Sequence, residues 1–171
     1  SPNTLLDAYG RAALDHTNDN TAREIFALIC GPSNAIKQDQ VISSIVPESA
    51  RELPQSITTI YPGNCGGELY MTKGHQHPDP QGEIYFGLEG SGGIILFDGK
   101  QSSWIEITPG KIGYIPPGWA HRSVNTGDDA YKFLAVYPGS AGHDYQWVLD
   151  NGMGLRAFRK NNNLDLQEFY S

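Results

Sequence analysis

The 171-residue sequence predicts an all-β domain in which antiparallel strands close into a double-sheet, jelly-roll barrel. Gly (20) and Pro (11) together make up about 18 % of the chain, against about 12 % on average. Aromatic residues reach 11 % while charged residues are only 18 %, which favours short strands and tight turns over a helix bundle, a coiled coil or a disordered chain. From Ser56 onward, apolar runs recur about every ten residues between clusters of Gly, Pro, Asn and Asp. The length suits one domain with a core of its own. Within it, residues 1–55 are expected to form an N-terminal extension of short helix and strand packed on the barrel, 56–160 the barrel, and 161–171 a tail.

Residues 4–14 (TLLDAYGRAAL) have helical character, and a polar loop with His16 follows at 15–20. In TAREIFALIC (21–30), Thr21 and Glu24 resemble a capping box, but Ile25, Phe26, Leu28 and Ile29 before Gly31-Pro32 favour a strand. Residues 31–54, with prolines at 32, 47 and 54, are the least legible part. Strands are then expected at 56–61, 67–72, 83–89, 93–97, 103–107, 113–116, 120–124 and 131–137. YQWVL (145–149) and LRAF (155–158) follow as further strands, and the tail is a surface segment with one last short strand. The connections Pro62-Gly63-Asn64, Gly90-Ser91-Gly92-Gly93, Asp98-Gly99, Pro109-Gly110 and Pro116-Pro117-Gly118 carry turn chemistry.

A net charge of −7 argues against nucleic acid, which is bound by surplus Lys and Arg. No apolar run approaches the ~18 residues of a membrane span. Two cysteines, Cys30 and Cys65, are too few for a disulfide framework and read as free thiols in a reducing compartment. No basic or apolar leader opens the chain, so the cytoplasm is the expected location. GSGG at 90–93 lacks the Lys-Ser/Thr of a phosphate loop and reads as a hairpin turn.

His75 and His77 lie two apart in KGHQH, and on an extended segment such residues share a face. Glu83 opens the next strand, and His121 comes 44 residues after His77, behind a Pro-Pro-Gly turn. Three imidazoles and a carboxylate suit a borderline divalent ion, one per chain: Fe(II), Mn(II), Zn(II) or Ni(II). Lys73 and Arg122 flank these residues and are expected to point to the opposite face, as surface or interface charges. Trp104, Trp119 and Trp147 read as packing or as a dimer contact.

The spacing resembles the two motifs of the cupin superfamily of double-stranded β-helix barrels. Gly110, Pro116, Gly118, His121 and Asn125 match the second motif, G-x5-P-x-G-x2-H-x3-N; His75, His77, Glu83 and Gly90 match the first. The spacer PDPQG before Glu83 is longer than the general motif's, and Leu69 stands where the motif has an upstream Gly. MTKGH-x-H, YIPPGWAHR-x-VN and YP-x2-AGHDY narrow the resemblance to the cupin-type glucose-6-phosphate isomerases of archaea and some bacteria, over about residues 56–149.

That resemblance implies a metal-dependent aldose–ketose isomerase that interconverts glucose 6-phosphate and fructose 6-phosphate, acting as a homodimer on a small sugar phosphate. His75, His77, Glu83 and His121 become the metal ligands, and Glu83, Tyr85 and His143 the catalytic candidates. Thr58, Thr72 and the Gly74 backbone would meet the phosphate on one side, with Tyr137, His143 and Tyr145 on the other. Thr58 and Thr72 are read as lying on neighbouring strands and facing inward. Two routes stay open: Glu83 carries a proton between C2 and C1, or hydride shifts directly between them. The rival readings are an Fe(II) cupin dioxygenase and a non-catalytic sugar-binding cupin, since a fold hosts many functions. The polar YPGSAGHDY segment speaks against the first and the complete ligand set against the second.

Overall fold

The computed structural model describes residues 36–39 and 52–169. The helical reading of 4–14, the strand reading of 21–30, His16, Cys30 and the side chain of Cys65 lie outside the described residues. Among those described, strands β1 (Ile36–Asp39), β2 (Gln55–Ile60), β3 (Asn64–Cys65), β4 (Glu68–Leu69), β5 (Glu83–Glu89) and β6 (Gly92–Phe97) come first. Then follow β7 (Ser102–Ile107), β8 (Ile112–Ile115), β9 (Ala120–Asn125), β10 (Tyr131–Val136), helix α1 (Tyr145–Asn151), β11 (Gly154–Lys160) and β12 (Asn163–Phe169). All pairings are antiparallel, in sheets of order β1-β2-β10-β5-β8, β7-β6-β9 and β12-β11-β4-β3.

Two apolar cores hold these sheets together. Ile60, Tyr85, Ile94, Leu96, Ile107, Ile115, Tyr131 and Phe133 fill the barrel between the five- and three-stranded sheets. Leu69, Ile95, Phe97, Val124, Val148, Met153 and Ala157 form a second core, beneath the four-stranded sheet and α1. β6 lies between the two, so all six of its residues are buried and GGIILF reads as one apolar run. Ile94 and Leu96 enter the first core, and Ile95 and Phe97 the second. Each such fully buried aliphatic side chain contributes on the order of 2 kcal/mol. A Cβ at Gly92 would stand 2.3 Å from the Tyr131 ring and one at Gly93 2.3 Å from the Trp104 ring, so these glycines make room for one aromatic in each core.

YQWVL is helical rather than extended. The Asp144 carboxylate accepts the Trp147 amide at 2.9 Å, and Gly152, at φ 73°, closes the other end on the Val148 carbonyl. The aromatic and β-branched content of the segment suits a strand, but the cap and the burial of Val148 in the second core select the helix. GELYMT keeps only β4 as regular strand, followed by an isolated Met71–Val124 bridge. The tail pairs along the whole of β11, through a two-residue turn at Asn161 and Asn162 with φ 52° and 62°. β1 arises in the segment that read as least legible and pairs with β2. Trp104 and Trp147 pack on the second core and Trp119 on the first. Among the described residues no helix is long and apolar enough to cross a membrane.

Candidate metal and active site

Residues 70–77 run beside β9 as an irregular continuation of the three-stranded sheet. The Thr72 amide donates to the Ser123 carbonyl at 2.9 Å, and His75 and His121 bond each other in both directions at 3.2 and 2.9 Å. On the far side, Gln76 and Asp144 form a second antiparallel bridge. These two bridges fix the site, because residues flanking a bridged pair point to the same face. His75 therefore stands opposite Tyr145 and His77 opposite His143, with ring centroids 5.5 and 5.8 Å apart; His75 lies 4.4 Å from His121 and from His143.

Glu83 closes the cluster from the opposite sheet, as the first residue of β5. Its Oε2 lies 2.9 Å from both His77 Nε2 and His121 Nε2, and one donor atom from each of His75, His77, Glu83 and His121 falls within 4.8 Å of every other. His77 Nδ1 meets the Gly142 carbonyl at 2.7 Å and His121 Nδ1 the Trp119 carbonyl at 3.2 Å. Carbonyls only accept, so each ring carries a proton on Nδ1; His121 turns its Nε2 lone pair inward, and His77, whose Nε2 faces the Glu83 carboxylate, does so when it is neutral. His75 Nε2 and His121 Nε2 are buried without a hydrogen-bond partner; for His121 the nearby carboxylate is out of alignment. Inward-facing orphan nitrogens beside a buried carboxylate fit a divalent metal ion, so the buried His₃Glu cluster is consistent with a metal site.

Burial, reinforced by the neighbouring imidazoles His121, His143 and His77, holds His75 well below the ordinary histidine range, so it stays neutral. Burial also opposes charge on His77, but its bonds to Glu83 and the Gly142 carbonyl outweigh that and raise it. For Glu83, burial pushes upward and the contacts to His121 and His77 win, holding the carboxyl below its usual range and ionised at neutral pH. Tyr85, two residues on and on the same face, is driven well upward by burial and by the charge of Glu83, so its phenol stays protonated.

The remaining predicted residues divide. Tyr137, His143 and Tyr145 gather at the mouth: Tyr137 and His143 rings are 5.8 Å apart, and His143 stacks on Tyr145 at 6.0 Å. Gly74 is buried at φ 81°, where a Cβ would crowd the His121 carbonyl and Arg122 Cβ at 3.2 Å. Thr58 is buried on β2 opposite Phe133, which puts it on the inward face. Thr58 and Thr72 do not lie on neighbouring strands: β2 is flanked by β1 and β10, whereas Thr72 pairs with Ser123 of β9 and its Oγ1 accepts the Ser123 amide at 2.9 Å.

Lys73 also departs from expectation. Lys73 stands two residues before His75, the spacing that shares a face on an extended segment, and its Nζ lies over the Tyr145 ring, 5.1 Å from its centroid. Arg122 does point away from the cluster, and its guanidinium donates twice to the Lys73 carbonyl, at 3.1 and 2.6 Å. Sequence reasoning missed Lys73 as a site residue, although its i, i+2 spacing from His75 was the signal. It also missed Gln76, whose side chain donates to the Gly118 carbonyl at 2.7 Å and joins the two motifs.

A family model described as glucose-6-phosphate isomerase matches residues 34–169. The glucose-6-phosphate isomerase of Thermococcus kodakarensis is 42 % identical over 123 residues, covering 68 % of this chain and 65 % of that one. That of Pyrococcus abyssi is 38 % identical over 131 residues, covering 73 % and 69 %. The chain thus spans about two thirds of the length of these relatives. Among solved structures, Lactobacillus farciminis oxalate decarboxylase superposes with a TM-score of 0.50 at 24 % identity, over 65 % of this chain and 30 % of that one, a likeness that bears on the fold alone. With a cupin barrel and the His₃Glu cluster in place, the chain belongs to the cupin-type glucose-6-phosphate isomerase family.

Proposed function

We propose that this chain is a metal-dependent isomerase interconverting glucose 6-phosphate and fructose 6-phosphate. The observation that carries the reading is a buried His₃Glu cluster opening onto a mouth of hydroxyls, imidazole and one ammonium, in a chain of this family. His75, His77 and His121 through Nε2, and Glu83 through its carboxylate, would hold one Fe(II), Mn(II), Zn(II) or Ni(II) ion. Such an ion, when bound, supplies Lewis acidity toward the sugar's carbonyl and neighbouring hydroxyl oxygens.

The chain's own groups do the rest. Glu83, ionised at neutral pH, takes the C2 proton and returns it to C1. Tyr85 keeps its proton and donates a hydrogen bond to a sugar oxygen. At the phosphate end, Thr72 already accepts the Ser123 amide, so its O–H is left to donate, which suits an anion. Thr58, the Gly74 amide, Tyr137, His143 and Tyr145 complete the polar lining, and Lys73 adds a cation in an acidic chain.

We further propose a homodimer in the cytoplasm. Ile84, Ile112 and Tyr114, 43, 66 and 57 % exposed, lie side by side on the outer face of β5 and β8, and β8 is an edge of its sheet among the described residues. An apolar face beside an open edge suits a two-fold partner of the same kind. Light scattering tests the dimer, and Ile112→Lys is expected to yield a monomer.

The deciding experiment is a coupled assay of fructose 6-phosphate conversion on chelator-treated protein, repeated after adding each of the four metals and again in D₂O. Activity that vanishes with chelation and returns with one metal supports the reading; solvent deuterium at C2 of the product supports Glu83 as proton carrier, and its absence a hydride shift. Oxygen uptake without isomerisation, or metal binding without turnover, overturns it.

A further inference from the structure

Beyond the metal cluster, two buried side-chain polar atoms among the described residues have no hydrogen-bond partner, Ser123 Oγ and Tyr131 Oη, and the serine stands on the face of the site. Ser123 stands two residues after His121 on β9, on the same face, and is 1 % exposed. Thr72 holds its backbone from both directions, at 2.9 Å through the amide and 2.9 Å through the carbonyl. Its Oγ nevertheless has no hydrogen-bond partner. Across the barrel, the Tyr85 ring is clamped between Phe133, stacked at 4.6 Å and 20°, and His121, edge-on at 5.9 Å and 86°. Ser123 shares the face of His121, whose ring the Tyr85 ring meets, so the serine hydroxyl and the phenol line the same wall of the barrel. Both backbones and the aromatic ring are fixed, so only the Ser123 χ1 and the two O–H torsions remain soft. If Ser123 served packing alone, an alanine would line the same wall without the penalty of an unpaired buried hydroxyl.

We propose that Ser123 is a positioning residue: once substrate fills the site, its hydroxyl donates a hydrogen bond to the Tyr85 phenol oxygen, and so aims the phenol O–H at the sugar. The proposal rests on the isomerase reading above and deepens it. In this role Ser123 acts through Tyr85 rather than on the metal or the sugar directly.

Metal-loaded wild type, Ser123→Ala, Ser123→Thr, Tyr85→Phe and the Ser123→Ala/Tyr85→Phe double variant are compared in the coupled assay and by the rise in melting temperature that fructose 6-phosphate produces. Ser123→Ala is expected to lower kcat about tenfold, with metal content unchanged and its own melting temperature equal or higher. Ser123→Thr keeps the hydroxyl and most of the rate, and the double variant is no slower than Tyr85→Phe. Wild-type kcat in Ser123→Ala, or effects that multiply in the double variant, overturns the proposal and leaves the isomerase reading standing. A wild type without turnover overturns that reading instead. The sugar-phosphate-induced rise then decides: it must shrink alike in Ser123→Ala, Tyr85→Phe and the double variant, and a rise indifferent to Ser123, or no rise, overturns the proposal.

Discussion

His121 and Glu83 sit on regular strands at 1 and 4 % exposure, locked by sheet register and by carbonyls that fix the histidine tautomers. His143 and Tyr145 stand exposed on the segment that enters α1, held mainly by one backbone bridge to Gln76 and by ring contacts. The inner half of the site is therefore a pre-organised donor set, and the outer half a rim with freedom to adjust. Chemistry demands fixed donors, whereas capture of a flexible phosphate end tolerates movement. Changes to the inner half should abolish turnover, and changes to the rim should alter affinity.

The largest effect is expected from Glu83→Gln and His121→Ala. Each removes a donor from the cluster, and activity should fall about 10³-fold or more with loss of bound metal, measured by elemental analysis beside the coupled assay. A variant that keeps both metal and rate breaks the division between the two halves. Proton competition comes next. His77 is raised above its ordinary value of 6.5, so as pH falls toward that region it gains a proton and loses its lone pair; His75, shifted the other way, stays neutral. Metal retained after dialysis should thus drop steeply between about pH 7 and about pH 5, and a flat profile would place His77 outside the donor set.

At the rim, Lys73→Met should raise KM about tenfold while kcat stays within about twofold and metal content does not change. Arginine at the same position should recover part of the affinity. A fall in kcat alone would mean that Lys73 belongs functionally with the inner half.

The same division governs what could be read from the sequence. The inner half was legible because β-strand alternation and turn chemistry translate spacing into a shared face: His75 with His77, Glu83 with Tyr85, His121 behind the Pro117-Gly118 turn, where Gly118 has φ 80°. The rim was legible only as a string, AGHDY, because its placement depends on a bridge between Gln76 and Asp144, which no local spacing encodes. Lys73 was misassigned because it was read as an immediate neighbour of His75, whereas it stands two residues away, the spacing that shares a face. The Glu68–Arg156 pair, buried beneath the second core with Nε 3.0 Å from the carboxylate, joins residues 88 apart and left no signal at all. In YQWVL the apolar content outvoted a capping signal that was present, Asp144 before the run and Gly152 after it.

That cap gives the smallest expected effect and the sharpest view of the rim. The Asp144 carboxylate holds the Trp147 amide at the start of α1, while its backbone bonds Gln76 at 3.1 and 2.7 Å. Asp144→Ala removes the cap and spares the bridge, and should cost about 1 kcal/mol, a fall of about 2–4 °C in melting temperature for a domain of this size. Asp144→Asn keeps an accepting oxygen and should recover nearly all of it. Metal content should not move in either variant, because the cap touches none of the cluster's donors and the Gln76–Asp144 bridge is backbone. KM is the informative quantity. If fraying the first turn loosens Tyr145, and with it the stacked His143, KM rises severalfold in Asp144→Ala at constant kcat. If KM holds while the melting temperature falls, the bridge alone sets the rim, and α1 serves the second core rather than the site.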